Sequence, residues 1–427
     1  MLFAGGTVLV SLLGMLLMRV GFLNGFAYAT STAVLLAIAT ALTLIPALLG
    51  LAGDRIDRFA LHRRHAATAA ERHTFAGRWS AWIQRHARLA AGLGAAVLLA
   101  AAAPVAWMRL ATADAGNDPS GTTTRTAYDR LADGFGAGFN GPLLVVVDDA
   151  RVANDVAAAV AATDGIVAVA PPAPVGALAV IAAVPSSSPQ SVETQRLVHT
   201  LRDDTLPSVV GGSGVRAHVG GSTASDIDFA QVMGDRLPWF IGGVLVLSFV
   251  LLLVVFRSLL VPLKAVLLNL LSIAAAYGAM VMVFQWGWLG GLIGVEHGAP
   301  IEPWAPMMLF AIVFGLSMDY EVFLLSGIQE RYHRTGDNSA AVVGGLAATA
   351  RVITAAAAIM VCVFGSFVLA DVRALKLMGL GLSAAVALDA TVVRMVLVPA
   401  TMELLGDRNW WLPSRMSRLL PRWSVEG

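Results

Sequence analysis

The chain has 427 residues, of which 57% are hydrophobic and 13% are charged, and its net charge is +1. Soluble globular proteins usually carry about 25% charged residues, so this composition favours an integral membrane protein. A net charge this small provides no basic field that would attract nucleic acid. Nucleic acid is therefore not expected as a partner. The single cysteine, Cys362, lies in an apolar run and has no second cysteine for an intrachain disulfide.

Eight apolar segments are long enough to cross a bilayer, which takes about 20 mostly apolar residues. We predict spans at approximately 3–20, 24–50, 89–110, 237–256, 263–288, 305–327, 349–370 and 375–404. Arginines concentrate in the segment 53–88, after the sixth span and in the tail, and Arg257 and Lys264 lie in the predicted turn between the fourth and fifth spans. Because cytoplasmic loops carry the excess of arginine and lysine, we expect a multi-pass protein of the cell membrane with both termini in the cytoplasm.

The spans divide the chain into six parts. These are two spans in 1–52, a basic cytoplasmic linker at 53–88, one span at 89–110, an acidic extracytoplasmic insert at 111–235, five spans in 236–405 and a cytoplasmic tail at 406–427. Within the insert, residue patterns predict strands at 143–148, 166–170, 177–184 and 216–221, and helices at 152–163 and 189–204. The order βαββαβ is that of a ferredoxin-like domain. The predicted fold is therefore a mostly α-helical membrane protein with about eight transmembrane helices and one extracytoplasmic α+β domain.

An internal repeat links the two ends of the chain. "LIPALLGLAGDR" (44–55) and "LVPATMELLGDR" (397–408) share seven of twelve residues without gaps, at an offset of 353. Chance, helped by the composition common to helix ends, is one explanation. Duplication is the other, since transporters are often built from two repeats. Duplication predicts that the chain is the C-terminal part of a two-repeat transporter, with 1–52 as the end of the first repeat.

The stretch "GLSMDYEVFLL" (315–325) places Asp319, Tyr320 and Glu321 inside a predicted span. A carboxylate at membrane depth costs several kcal/mol, and such residues persist by pairing, by facing water or by taking up a proton. We interpret Asp319 as a proton relay, with plain hydrogen bonding to a neighbouring helix as the alternative. Glu321 points some 200° away from Asp319 and cannot share its site. The small Gly315, one turn before Asp319, would admit a neighbouring helix closely.

Other polar residues in the spans are candidate partners of this site. Asp389 and Arg394 are five residues apart, about 140° around an ideal helix, so a face-on pair between them is not expected. Arg394 is a candidate counter-ion for Asp319, or a packing anchor bonded to carbonyl groups. Asn269, Ser272 and Thr354 are candidate interhelical hydrogen-bond partners, with plain packing as the alternative for each.

No cofactor or metal is predicted. Four histidines fall in the linker, at His62, His65, His73 and His86, but neither a cysteine nor an acid completes a ligand set at a sensible spacing. Contact between this basic linker and anionic lipid is the better interpretation. The sequence contains no Walker motif for ATP and no nucleophile–base set, so an enzyme is not predicted.

Several motifs resemble one transporter family. "GLSMDYEVFLL", "RVITAAAAIMV" (351–361), "DATVVRMVLVPA" (389–400) and "GDRNWWLP" (406–413) are similar to the C-terminal half of mycobacterial-membrane-protein-large (MMPL) transporters of the resistance–nodulation–division superfamily. This resemblance implies export of lipids or other hydrophobic molecules, driven by protons. It implies that Asp319 and Tyr320 form one of two relay pairs, and that 111–235 is the second of two porter domains. The first relay pair and first porter domain have no counterpart in this chain.

Two functions from different classes follow. The first is the C-terminal portion of a proton-driven exporter, with a separate chain as one source of the missing half. The second is a membrane protein that does not transport, either a remnant or an assembly partner whose porter domain only binds a ligand or protein.

Overall fold

The structure, a computed structural model, describes residues 2–53, 75–413 and 416. The α-helices within these residues are α1 (Leu2–Gly14), α2 (Gly21–Ala52), α3 (Phe75–Arg85), α4 (Ala87–Ala102), α5 (Thr123–Phe135), α6 (Ala153–Ala161), α7 (Val192–Thr200), α8 (Leu206–Val210), α9 (Ser222–Phe256), α10 (Leu260–Met280), α11 (Ala305–Thr335), α12 (Asn338–Ser366), α13 (Arg373–Leu388) and α14 (Val398–Leu405). Wider π-helical turns extend three of these helices, at Leu201–Thr205, Val281–Gln285 and Asp389–Leu397.

Seven helical segments of the described chain are long and apolar enough to cross a membrane. They are Gly21–Ala52, Ala87–Trp107, Ser222–Phe256, Leu260–Gln285, Ala305–Thr335, Asn338–Leu369 and Arg373–Trp410. The first of the eight predicted spans, 3–20, contains a shorter apolar helix at Gly5–Met18, because Arg19 takes a left-handed conformation (φ 51°) and ends the helix there. These helices make the chain a multi-pass membrane protein.

An α/β domain lies between α4 and α9. Its strands are β1 (Leu143–Val147), β2 (Ile166–Val169), β3 (Ala173–Val175), β4 (Leu178–Pro185) and β5 (Ala217–Gly220). They form one antiparallel sheet in the order β2-β4-β1-β5, and β3 also pairs with β4. The short β3 is additional to the four predicted strands. Alternate residues of β1 and β4 are buried, so one face of the sheet forms a core with α6 and α7.

Helix α9 joins this domain to the helix bundle without interruption. It starts at Ser222, directly after β5, and continues for 35 residues to Phe256. We call the end of the bundle that carries the α/β domain the domain side and the opposite end the far side. Arg257 then takes a left-handed conformation (φ 48°) and turns the chain into α10 on the far side.

The predicted linker contains a helix in its described part. Helix α3 buries Ser80 and Ile83, while Arg78, Trp82 and Arg85 are exposed. The Trp79 indole N–H donates to the Met395 carbonyl at 2.9 Å, within the π-helical segment. Apolar residues at helical spacing therefore give α3 a face that packs against the last helices, while its arginines stay exposed on the other face. Contact of the linker with anionic lipid stays a prediction.

The two copies of the sequence repeat end in the same backbone conformation. Gly53 has φ 46° and ψ −138°, and Gly406 has φ 54° and ψ −136°. In each copy the glycine N–H donates to the carbonyl four residues earlier, Leu49 in one and Met402 in the other. Positive φ favours glycine, which accounts for the shared residue.

Helix α1 packs closely against α11. A Cβ atom added to Gly315 would lie 3.0 Å from Val8 Cα, so glycine allows the two backbones to approach as expected from the sequence. This contact also sets the distance between Thr7 on α1 and Asp319 on α11.

We expect Gly315→Ala to destabilise the chain by about 1–3 kcal/mol, because the added methyl group meets backbone that cannot rotate away. Titration with a denaturing detergent measures the free energy of unfolding. Gly365→Ala is the matched control, since a Cβ atom there meets nothing within 4 Å. Equal effects of the two substitutions would contradict the close α1–α11 contact.

Candidate functional site

Asp319 lies near the middle of α11 and is half-buried. Its Oδ1 accepts a hydrogen bond from Thr7 Oγ1 at 2.9 Å. Thr7 is 2% exposed and lies 312 residues away in the sequence, on α1. The carboxyl group is therefore held by a neutral hydroxyl from a neighbouring helix, inside the bundle.

Asp389 and Arg394 form a buried ion pair, at 4% and 2% exposure. Arg394 Nη2 lies 2.7 Å from Asp389 Oδ2, and Arg394 Nε donates to the same oxygen at 2.9 Å. The expectation that these residues do not pair is wrong. They lie in the π-helical segment Asp389–Leu397, whose i→i+5 hydrogen bonds bring residues five apart onto one face.

This ion pair also binds α11. Ser317 Oγ donates to Asp389 Oδ2 at 3.0 Å, and Arg394 Nη2 donates to the Ser317 carbonyl at 2.5 Å. Arg394 is thus the partner of Asp389 and of a carbonyl oxygen. It also acts electrostatically on Asp319 without contacting it. Arg394 is thus bonded to a carbonyl group, as one of the two interpretations from the sequence expected, and its role as a counter-ion for Asp319 stays a prediction.

Tyr320 lies beside this pair. The Arg394 guanidinium lies over its ring, with Cζ 5.0 Å from the ring centroid. The Tyr320 hydroxyl reaches α12 and donates to Met360 Sδ at 3.8 Å. A hydroxyl directed at a neighbouring helix agrees with the position of Tyr320 around α11. Tyr320 therefore contacts the cation with its ring and α12 with its hydroxyl.

A second polar cluster lies on the opposite face of α11. Glu321 is 2% exposed, and its Oε2 accepts a hydrogen bond from Asn269 Nδ2 of α10 at 2.9 Å. Lys264 of α10 is 8% exposed, and its positive charge attracts the carboxylate of Glu321. Placing Lys264 in an aqueous turn is therefore wrong, because α10 begins at Leu260 and the lysine already lies in its second turn.

The other two predicted partners do not join either cluster. Ser272 is 1% exposed, and its Oγ has no hydrogen-bond partner among the residues that the structure describes. Thr354 is exposed on α12, next to the buried Ile353. Thr354 faces away from the bundle because the buried stripe of α12 passes through Ile353 and Ala357.

Of the four histidines in the linker, the structure describes His86 alone. His86 stacks on Trp82 with ring centroids 5.2 Å apart, and His62, His65 and His73 lie outside the described residues. Across 2–53 and 75–413, no three potential ligand residues group around a point that could hold a metal ion.

A polar cavity of about 100 Å³ lies where the α/β domain meets the bundle. Asp114 and Asp226 are among its lining residues, and the Tyr128 hydroxyl donates to Asp114 Oδ2 at 2.8 Å. Burial raises the pKa of Asp114, while the hydrogen bond from Tyr128 acts in the opposite direction. The volume accommodates a few water molecules at about 30 Å³ each, but not a lipid.

Sequence reasoning missed several residues of these clusters, among them Thr7, Ser317 and Lys264. Thr7 and Ser317 are small hydroxyl residues in apolar helices, which have no signal of their own until the helices are packed. Lys264 did carry a signal, because an isolated lysine inside an apolar run is costly unless it is paired.

Comparison with known proteins supplies the family. The model described as "MMPL family" matches residues 1–92 and 119–426. The chain belongs to the MMPL family. This result confirms the resemblance seen in the sequence motifs. The matched residues include the helix bundle and most of the α/β domain.

Two curated MMPL relatives match nearly the whole chain. "Heme uptake protein MmpL11" of Mycobacterium tuberculosis is 37% identical over 431 residues, which cover 98% of this chain and 44% of the relative. "Mycolic acid-containing lipids exporter MmpL11" of Mycolicibacterium smegmatis is 35% identical over 438 residues, 99% of this chain and 46% of the relative. This MMPL chain therefore spans about half the length of the curated relatives it matches.

A solved structure of SecDF in a super-membrane-facing form also matches, with a TM-score of 0.46 and 12% identity. The match covers 94% of this chain and 48% of the SecDF chain.

Proposed function

We propose that this MMPL chain is one half of a proton-driven exporter of lipids or other hydrophobic molecules. The observation that carries the proposal is Asp319, a half-buried acid in the middle of a membrane helix, held by the neutral hydroxyl of Thr7. An intramembrane acid is a functional residue by default, and proton relays in pumps and transporters are built from such acids.

The contacts of Asp319 suit a group that gains and loses a proton. A threonine hydroxyl can donate to a carboxylate or accept from a protonated carboxyl group, so the Thr7 contact is compatible with both states. Asp389, in contrast, pairs with Arg394, a cation that is never deprotonated in proteins. The two acids therefore have different roles: Asp319 carries the proton and Asp389 fixes the cation.

Protonation of Asp319 would change the forces on α11. Loss of its negative charge removes the attraction to Arg394, which sits over Tyr320 and also holds the Ser317 carbonyl. A difference in interaction energy between the two protonation states can bias two arrangements of a helix bundle. Tyr320 would transmit this change to α12 through its contact with Met360.

The α/β domain would pass cargo onward as a porter domain. Its antiparallel sheet has the order β2-β4-β1-β5, with α6 between β1 and β2 and the continuous helical stretch of α7 and α8 between β4 and β5. This arrangement supports a ferredoxin-like fold with an added β3. The unbroken α9 links it to the bundle, so that motion of the membrane helices is transmitted to the domain. With the domain outside the cell membrane, the far side and both termini are cytoplasmic, in accord with the arginine distribution.

Lipid-like cargo suits an exposed apolar face of α9. Its residues are Pro238, Trp239, Gly242, Gly243, Val246, Leu247 and Val250. One relative is named as a lipid exporter and the other as a heme uptake protein, and both cargoes are largely apolar.

The two copies of the repeat end at Gly53 and Gly406 in the same conformation, which supports a transporter built from two related halves. The second half would come from a further segment or from a separate chain.

The proposal is tested by lipid export from vesicles that contain the chain together with an MMPL first half, supplied in one polypeptide or as a second chain. We expect export to depend on an imposed proton gradient and to stop when a protonophore collapses that gradient. Export that continues without the gradient would overturn proton coupling. Binding of lipid without export, with both halves present, would favour the non-transporting alternative.

A further inference from the structure

The second polar cluster lies between the centre of the bundle and its far side. From the centre outward, its members are Glu321 and Asn269, then Lys264, and then Asn409 in the 3-10 helix Gly406–Trp410. All four side chains are buried, with exposures of 2%, 1%, 8% and 0%. Hydrophobic packing alone does not explain four buried polar side chains in line, because each would be replaced more cheaply by an apolar residue.

Glu321 has one oxygen available for a proton. Its Oε2 accepts from Asn269, while its Oε1 is buried and has no hydrogen-bond partner among the described residues. The charges that act on it are Lys264 from α10 and Asp389 and Arg394 from the π-helical segment. A carboxylate with an unsatisfied, dehydrated oxygen is costly, and a proton on Oε1 removes that cost.

Lys264 is placed to exchange with the far side. It lies in the second turn of α10, five residues after Leu259, and its Nζ donates to Asn409 Oδ1 at 3.4 Å. The Asn409 amide is fixed in this orientation, because its Nδ2 donates to the Met402 carbonyl at 2.8 Å and to the Gly406 carbonyl at 2.6 Å. Lysine releases its proton readily when it is buried, unlike arginine.

We propose that Glu321 and Lys264 form the step by which the proton leaves the bundle for the cytoplasm. When the neutral Lys264 amine approaches Glu321, or through a water molecule between them, the O–H bond of protonated Glu321 breaks and an N–H bond forms on the amine, which leaves a carboxylate and an ammonium. The ammonium then gives a proton to water at the far side and returns to the amine. No electron is transferred. This inference rests on the proposed proton-driven function and adds the exit route and its direction.

The chain offers an internal control for this step, because Lys264 and Lys376 are its only lysines. Lys376 is also buried, at 9% exposure, but it lies near the domain side and donates to the carbonyls of Ile293 at 2.6 Å and Gly294 at 3.4 Å. In lysine-labelled protein in lipid nanodiscs, carbon NMR resolves both side chains. We expect the Lys264 signal to change with pH across the neutral range, and the Lys376 signal serves as the reference that substitutions at Glu321 should leave unaltered.

The variant Glu321→Gln tests whether the charge state of Lys264 depends on Glu321 or on burial alone. In Glu321→Gln, Lys264 loses the negative charge beside it, and we expect its resonance to become that of the neutral amine over the same pH range. An unchanged Lys264 signal in this variant, or a lysine that stays charged at every pH, would overturn the proposal.

Lys264→Arg distinguishes transfer from a structural ion pair. Arginine keeps the positive charge beside Glu321 but does not release a proton. We use the vesicles described above, which contain this chain together with an MMPL first half, and call them the two-half vesicles. In them we expect Lys264→Arg and Lys264→Met each to reduce proton-driven export at least tenfold, although both proteins remain folded. Rescue by arginine would show a structural role and overturn the step.

The failure of this exit step can be told apart from failure of the function. Carbodiimide, which reacts with protonated carboxyl groups in apolar surroundings, should still modify Asp319 in Lys264→Arg. If Asp319 were never modified in the unaltered chain, the proposed function itself would fail. If Asp319 were modified but Lys264 did not titrate, only the exit route would fail.

Discussion

Asp319→Asn is expected to abolish proton-driven export while the chain still folds and inserts into the membrane. The amide has the shape of the carboxyl group and can still accept the hydrogen bond from Thr7, so the packing of α1 on α11 is kept. What is lost is the group that binds the proton. Export in the two-half vesicles should fall to the level seen with a protonophore.

The matched control is Glu330→Gln, which removes another acid from the same helix. Glu330 is exposed, and Glu330 Oε1 lies 3.8 Å from Arg334 Nη1 in a surface ion pair of little energetic weight. We expect this variant to export normally.

Carbodiimide labelling provides a second measurement that needs only this chain. We expect labelling at Asp319 in the unaltered protein, with mass spectrometry locating the modified residue, and no labelling at that position in Asp319→Asn. Export that persists in Asp319→Asn, with labelling absent, would show that the residue is structural.

Arg394→Met is expected to destabilise the chain by about 3–5 kcal/mol, since removing one partner of a buried ion pair leaves the other charge uncompensated. Among the described residues, Asp389 would keep the side-chain hydrogen bond from Ser317, and the Ser317 carbonyl would lose the side-chain donor that it has besides its helical N–H. Asp389→Leu should cost a similar amount, because it leaves Arg394 buried and unpaired. The measurement is the free energy of unfolding from titration with a denaturing detergent.

The double variant Asp389→Leu/Arg394→Met should recover most of this loss, because two apolar side chains of similar volume need no partner. Arg351→Met, at an exposed position of α12, is the control and should stay within about 0.5 kcal/mol of the unaltered chain. A double variant as unstable as the sum of the single ones would contradict a direct Asp389–Arg394 interaction.

Much of the candidate site could be predicted from residues alone. Asp319 stands out because an acid inside an apolar helix has few explanations, and Glu321, Asn269, Asp389 and Arg394 were found by the same reasoning. The pairing of Asp389 with Arg394 could not be predicted. An ideal helix separates residues five apart by about 140°, and the sequence gives no sign that this segment is wound as a π-helix.

Hydrogen-bond partners that lie far apart in the chain could not be predicted from the sequence either. Thr7 reaches Asp319 across 312 residues, and Asn409 reaches Lys264 across 145. Hydroxyl and amide side chains are common in membrane helices, so their presence does not say which neighbour they meet. Ser272 and Thr354 illustrate this, because both were plausible partners and the structure places neither in a hydrogen-bonded cluster.

The sequence by itself determined the class of protein, its family, most of the apolar helices and the acid at the centre of α11. These follow from composition and local periodicity, which depend on residues close together in the chain. The tertiary structure decided which polar side chains meet: Arg394 pairs with Asp389, Thr7 donates a hydrogen bond to Asp319, and Lys264 lies near Glu321. Electrostatic and hydrogen-bond energies depend on distances of a few ångströms between helices, and only the packed bundle fixes those distances.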